Sequence, residues 1–412
     1  MRLIDRTGAV EGTLDATRLS DIKANDNALT DKDVRPYRQL FPFLDKLTYF
    51  NHGSIAPISL PVREAIDRVN ESQAMGTLGR SIWRGGVAPL RQKIANLIGS
   101  EAEEIALVRN TVEAISTVAA GVRWKAGDNV VCNDLEFPAN VYPWWNLKEP
   151  FGVETKMVEG HNGRVSIDDI MAAVDSRTRL VTVSFVQFSN GFRTDLARLG
   201  SLCRARGVYL HVDAIQGVGP LTVDVLNENI DFLSCGGHKW LLGPIGAGFL
   251  YVRRALIPEL WACEPGHLGV KQNVTRYRDY TLTFRDTAEK FEGGVHNYAG
   301  VAGLSRSLDM FHEVGPARIS ARIIELTDQL CEGIVMRGYR LLSPRGPGEK
   351  SGTVSFVHDS RPTSDIYLQI MDAGIHVTVS EGAVRVAPHF YNTTEEIDRL
   401  IRVLKGAPVI TS

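Results

Sequence analysis

Apolar residues fall in short runs separated by segments of mixed polarity at helical spacing. Residues 104–108, 128–132, 179–188, 208–213, 231–235 and 246–253 read as strands. The run at 179–188 is almost continuously apolar, as expected of a strand buried on both faces of a parallel sheet. Helical patterns lie between these runs, and one helix opens at Pro61 and continues to about residue 74, proline suiting the first turn. Such βαβ alternation predicts an α/β fold with a large doubly wound, mainly parallel sheet, whose site lies at the C-terminal ends of the strands. After a helical span at 298–337 the pattern changes to short strands at 351–357, 375–379 and 383–387, with a helix before Gly374 and another from Thr393. That is the pattern of a small C-terminal α+β domain. Residues 1–45, polar and mixed, read as a partly ordered arm. The expected division is therefore an arm at 1–45, a large domain at 46–300 and a small domain at 301–412.

The 412 residues suffice for two domains with a large core. The net charge of −2 leaves no footprint for nucleic acid or an anionic membrane surface. No apolar run reaches a membrane span, and the first residues lack the apolar core of a signal peptide. The five cysteines contain no CxxC pair, so a reducing, cytoplasmic setting is expected and the thiols in apolar patterns should be buried. Cys263 and His267 have ligand-like spacing but no second pair nearby, so no metal site is expected.

The chemistry centres on DFLSCGGHKWLLGPIGAG at 231–248, a strand running into a glycine-rich turn that presents His238 and Lys239. A lysine here is either a solvated loop residue or a desolvated amine suited to a Schiff base. It is not a Walker loop, because Trp240 follows the lysine where Ser or Thr is required. A second motif, HVDAIQ at 211–216, ends a strand at Asp213 with Gln216 three residues on. Lys239 follows Asp213 by 239 − 213 = 26 residues, about one strand–helix–strand unit. Pyridoxal phosphate enzymes need such a lysine for the aldehyde and an acid for the pyridinium nitrogen.

With these two motifs the sequence resembles the class V aminotransferase family of fold-type I pyridoxal phosphate enzymes, from about residue 49 to about residue 404. Its NHGS at 51–54 is closer to the isopenicillin N epimerase branch than to the desulfurases. The resemblance implies pyridoxal 5'-phosphate as cofactor, with Lys239 as Schiff-base and proton-transfer lysine, and Asp213 and Gln216 beside the cofactor ring. It places the phosphate at the helix start after 104–108, at Thr111 and Val112, where free N–H groups and the helix dipole attract an anion. A simple N-cap explains the same residues.

The same resemblance implies that Phe137 takes the ring-stacking position and Asn190 the position that bonds the phenolic oxygen. Core packing competes for Phe137. Val295 stands in the FEGGVHN segment at 291–297, which in relatives completes the partner subunit's phosphate site; hence a homodimer is implied. Val295 and Gly236 replace two hydroxyl-bearing residues, so His238, backbone groups or an arginine loop at 79–86 are the candidates to compensate. Arg385, in a segment matching the C-terminal family signature through YNTTEEID at 391–398, is implied as the clamp for a substrate α-carboxylate. Asn51, His52 and Ser54 are implied on the substrate side. Arg193 is left between a helix-entry ion pair and a second carboxylate contact.

These carry-overs imply an enzyme acting at Cα of a small α-amino acid, first as an aminotransferase, with a β-eliminating lyase or an epimerase as alternatives. A non-catalytic, cofactor-binding regulator is the contrast from another class. The interval 374–385 has no cysteine, where the desulfurases carry their persulfide-forming thiol, so that chemistry is not expected.

Overall fold

The computed structural model of the chain describes residues 28–271, 278 and 280–404. Residues 1–27 of the expected arm, and 272–277 and 279 of the irregular stretch at 265–290, lie outside the described residues. The first strand, β1 (Thr48–Tyr49), is followed by the seven strands of the main sheet. These are β2 (Ile105–Val108), β3 (Asn129–Asn133), β4 (Glu154–Val158), β5 (Thr178–Ser184), β6 (Tyr209–Asp213), β7 (Phe232–Gly236) and β8 (Gly248–Val252). They lie in the order β2-β8-β7-β6-β5-β3-β4.

Pairing is parallel from β4 through β7, and β8 alone runs against its two neighbours. The link from β7 to β8 contains no helix and is too short for a parallel crossover, so the chain must return antiparallel. Alternate residues of a strand enter different cores. Leu233 and Cys235 join one apolar cluster, whereas Phe232 joins the other on the opposite face. Both faces are therefore covered, as the continuous apolar runs require.

The run at 179–188 ends its ladder earlier than expected, at Ser184. The next residues fold back, with Val186 bridged to Arg193 and Gly191 at φ +75°, forming a loop over the sheet's carboxyl edge. The Arg193 guanidinium packs over the Phe185 ring at 5.5 Å, within electrostatic reach of Glu228 and of the helix-capping Asp195. Asp195 caps the next helix, Leu196–Arg206, by accepting from the Arg198 amide.

The small sheet contains β9 (Arg340–Leu341), β10 (Val354–Val357), β12 (Thr378–Ser380) and β13 (Ala383–Val386), antiparallel in the order β12-β13-β10-β9. The single strand expected at 375–379 is two. Its first part, β11 (Ile375–His376), leaves this sheet to pair in parallel with β1. The helical span after residue 298 is likewise two helices, Tyr298–Val314 and Pro316–Met336, broken by Gly315 at φ +94°. Leu304, Leu308 and Phe311 of the first of these belong to the main core, so a boundary at residue 301 would cut a helix of the large unit.

The stretch 28–45, expected to be loosely ordered, is packed. Helix Asp31–Arg38 has a Thr30/Asp33 capping box, and Leu29, Val34, Phe41 and Leu44 are buried. Arg38 forks onto Glu396 at 3.0 and 2.9 Å, and Asp31 pairs with the buried Arg322 and accepts from Thr394. The polar composition of the stretch masks four apolar anchors spaced to reach one groove.

Candidate active site

A cavity of about 470 Å³ opens at the carboxyl ends of β5, β6 and β7, within the range of ordinary cofactor clefts. Lys239 enters it from the β7–β8 turn. Gly237 donates to the Ala247 carbonyl at 2.8 Å, and Gly243 to Gly237 at 2.9 Å. A Cβ on Gly237 would lie 2.8 Å from the Leu304 side chain and 3.0 Å from the Ala247 oxygen, so this close approach requires glycine. Burial holds the Lys239 amine below its ordinary pKa, Asp213 pulling it up and Arg385 pushing it down. Its Nζ lies 5.9 Å from the Phe137 ring centroid.

Asp213 ends β6 and accepts from the Ile215 amide at 3.1 Å. Burial raises its pKa, and the charge of Glu136 adds to the rise. Gln216 is a brace: its Nε2 donates to the Gly53 carbonyl at 2.9 Å, and its Oε1 accepts from Trp240 Nε1 at 2.8 Å. It thereby fastens the lysine turn to the 51–54 segment.

Thr111 begins helix Thr111–Gly121, capped by Asn110, and its hydroxyl accepts from the Gly236 amide at 3.0 Å. Val112 is half exposed on the cavity wall. Phe137 is also half exposed and meets Phe188 edge-on at 5.1 Å. A Cβ on Gly236 would fall 3.1 Å from Thr111 Oγ1 and 3.2 Å from the His238 ring, so these groups border the space a side chain would fill. His238 Nδ1 is buried there without a partner. Arg385 donates from Nη1 to the Phe188 carbonyl and from Nη2 to Ser54 Oγ, both at 2.7 Å, while its buried Nε has no partner. Burial brings its pKa down to about 10.

Three residues expected at the site, His52, Asn51 and Asn190, stand elsewhere. His52 is fully buried, with Nδ1 2.7 Å from the Ala387 carbonyl and Nε2 2.5 Å from the Tyr391 hydroxyl, and so belongs to the main core, where Ala387, Tyr391 and Trp240 also pack. Asn51 bridges Ala387 in parallel and is absent from the cavity wall. Asn190 lines a neighbouring cavity, and its amide is committed to backbone: Nδ2 donates to Gly163 at 2.7 Å and Oδ1 accepts from Phe192 at 3.0 Å. Val295, expected at the partner subunit's site, is exposed in a third cavity beside Arg109 and Glu113. In the arginine stretch at 79–86, Trp83 packs on Tyr298 at 4.6 Å while Arg80 and Arg84 face solvent.

Sequence reasoning missed Glu136. This buried carboxylate accepts from Asn133, Gln187 and the Ser184 amide on one oxygen, and from Asn140 and the Ser184 hydroxyl on the other. It locks the loop bearing Phe137 to the end of β5. A second acid three residues past the end of an apolar strand, after Asp134, was the available signal.

A desolvated lysine, a buried carboxylate, an exposed ring face, a capped helix N-terminus and unpaired His238 and Arg385 nitrogens fit pyridoxal 5'-phosphate. The fold and this donor set define a pyridoxal phosphate enzyme. The aminotransferase class-V family model matches residues 70–400, and the chain belongs to that family. A probable cysteine desulfurase of Methanothermobacter thermautotrophicus is 32% identical over 400 residues, covering 89% of this chain and 96% of the relative. The apo cysteine desulfurase of Thermococcus onnurineus NA1 superposes with a TM-score of 0.82 at 25% identity, covering 92% of this chain and 98% of that one. The cystine C-S lyase C-DES, solved with cysteine persulfide, shares the fold with a TM-score of 0.83 at 23% identity, covering 89% and 100%.

Proposed function

We propose that this enzyme moves the Cα proton of a small α-amino acid held by its carboxylate at Arg385, with transamination as the first outcome. The observation that carries this reading is the meeting of Lys239, Asp213 and Arg385 in one largely buried cavity. Arg385 has an unpaired buried Nε, and its Nη2 contact to Ser54 is exchangeable, so a carboxylate can take a two-point hold on the guanidinium. Lys239, whose amine burial favours in the neutral form, is placed to take a proton at Cα and return it. Asp213 is the carboxylate that would hold the cofactor's ring nitrogen and keep it protonated. Pyridoxal phosphate, when bound, supplies the electron sink for the Cα–H bond. Thr111 and His238 would hold the phosphate, and Phe137 would cover one face of the ring.

β-Elimination is the second reading, favoured by the relatives that handle cysteine sulfur. Among the described residues no cysteine lines the cavity, and Cys235 is a buried thiol whose pKa is pushed up, first by burial. An elimination that expels the leaving group directly from Cβ needs no thiol on the protein. The chain works as a homodimer in this proposal, the partner meeting the exposed Val295.

The test is a panel of small amino acids offered to the loaded enzyme with and without an α-keto acid acceptor. New amino acid made only with acceptor identifies transamination, and ammonia with an α-keto acid released without acceptor identifies elimination. Absence of any spectral change or product with every amino acid would overturn the proposal.

A further inference from the structure

A second cavity, of about 820 Å³, adjoins the first and shares Phe188 and Ser380 with it. The first cavity must hold both cofactor and reacting amino acid. The second is larger, lies between the main sheet's loops and the small sheet, and has no part in the chemistry derived above. Its position relative to the carboxylate clamp is fixed, because Arg385 donates to the Phe188 carbonyl at 2.7 Å. An amino acid held there has the mouth of the second cavity beside it.

The wall of this cavity mixes polar side chains with apolar ones such as Leu135, Leu341 and Leu342, and its arginines are largely neutralised. Arg164 forks onto Glu349 at 2.7 and 2.9 Å and also holds the Asn162 carbonyl. Arg345 is spent on Asp328, Thr327 and Ser351. Arg340 differs, with a single exposed ion pair from Nε to Asp359 at 3.2 Å. What remains presented is a set of neutral hydrogen-bonding groups, one guanidinium at the rim and the exposed carboxylates of Asp134 and Glu381. Such a wall suits an arm with amide-like donors and acceptors. It does not suit a hydrocarbon tail, which would desolvate these groups without replacing their water.

We infer that the second cavity receives the side chain of the substrate, and that the enzyme's amino acid carries a polar, hydrogen-bonding arm extending several bonds beyond Cβ. This inference rests on Arg385 and Lys239 acting as proposed, and it names the substrate class for that same site. The short turn between β12 and β13, at Glu381 and Gly382, leaves the mouth clear of a long loop.

The experiment uses the loaded full-length enzyme and three probes with the same α-amino and α-carboxylate ends: S-methyl-L-cysteine, S-carbamoylmethyl-L-cysteine and S-hexyl-L-cysteine. Dissociation constants are read from the change in cofactor absorbance. The carbamoylmethyl probe should bind about tenfold more tightly than the methyl probe, and the hexyl probe should show no such gain. Ser189→Trp, which fills the second cavity from its floor, should erase that gain while leaving the methyl probe unchanged. Leu342→Trp, from another wall, should do the same, and thermal melts establish that each variant is folded. Equal binding of the methyl and carbamoylmethyl probes, an equal gain for the hexyl probe, or a gain that survives in a folded cavity-filled variant would each overturn the inference. Failure of all three probes to perturb the spectrum would instead count against the amino-acid chemistry itself.

Discussion

Glu136→Gln changes one atom of a buried side chain and should still unsettle both the fold and the site. The wild-type carboxylate accepts at 2.7 Å from Asn133 Nδ2, 2.7 Å from the Ser184 amide and 2.8 Å from Gln187 Nε2 on Oε1. On Oε2 it accepts at 2.9 Å from Asn140 Nδ2 and also from the Ser184 hydroxyl. Glutamine can keep the Oε1 set, but its NH₂ then faces two donors. The Ser184 hydroxyl can rotate to accept. Asn140 cannot flip freely, because its Oδ1 already accepts from Trp144 Nε1 at 3.2 Å and Thr182 Oγ1 at 2.8 Å. One buried donor is therefore stranded, costing about 1–3 kcal/mol, and the remaining bonds lose their charge assistance, for a total of about 2–5 kcal/mol. Urea denaturation of the cofactor-free protein reads this as a lower midpoint. The same change removes a charge that raises the Asp213 pKa, so Asp213 should ionise at lower pH in the variant. A midpoint shift worth under about 1 kcal/mol would refute the reasoning, since five donors cannot all be re-paired by an amide.

Arg385→Lys should raise KM or Kd for the amino acid by about 30- to 100-fold with a smaller effect on kcat, because a point cation replaces a planar fork; an unchanged KM would remove Arg385 from the clamp. Lys239→Ala should abolish turnover while leaving the melting temperature of the cofactor-free protein within a few degrees, and mapping of a borohydride-reduced wild type should label Lys239 and no other lysine. Burial lowers the pKa of His389 to about 4, so the folded state keeps the ring neutral while the unfolded chain takes up its proton below about 6.5. The stability this group contributes is complete above that pH and is lost as pH falls toward 4. Between pH 7 and 5, wild type should therefore lose about 2 kcal/mol more than His389→Gln, and parallel pH profiles would contradict it. Sedimentation should show a dimer at assay concentration, and an active monomer would exclude a shared site.

The parallel sheet and the lysine turn were legible because both rest on local rules. Continuous apolar runs mark buried strands, and the glycines at 236–237 mark a close approach that the Leu304 contact then explains. Asp213, Thr111, Phe137 and Arg385 were named through the resemblance to the class V family, and all four line one cavity. His52 and Asn190 were misplaced for a common reason. Polar residues in a turn look available in one dimension, whereas here their partners are Tyr391 and Gly163, far away in sequence. Glu136 was missed because its five donors come from Asn133, Asn140, Ser184 and Gln187, a convergence that no spacing announces. The second cavity lies between two sheets and has no motif at all.

The parallel pairing of β1 with β11 has a consequence for biosynthesis. Thr48 and Tyr49 find their partners at Ile375 and His376, and Ser54 meets Arg385. A chain emerging from the ribosome exposes its early segment long before those partners exist. At about 5–20 residues per second, this wait lasts tens of seconds. The main sheet, from residue 105 to residue 252, can assemble during that time, because its strands are all contained in the emerged part. The substrate clamp cannot form then, since one side is made early and the other near the end of translation. Closure of the carboxylate site thus becomes a late folding event, after a sheet already able to present Lys239 and Asp213 has formed.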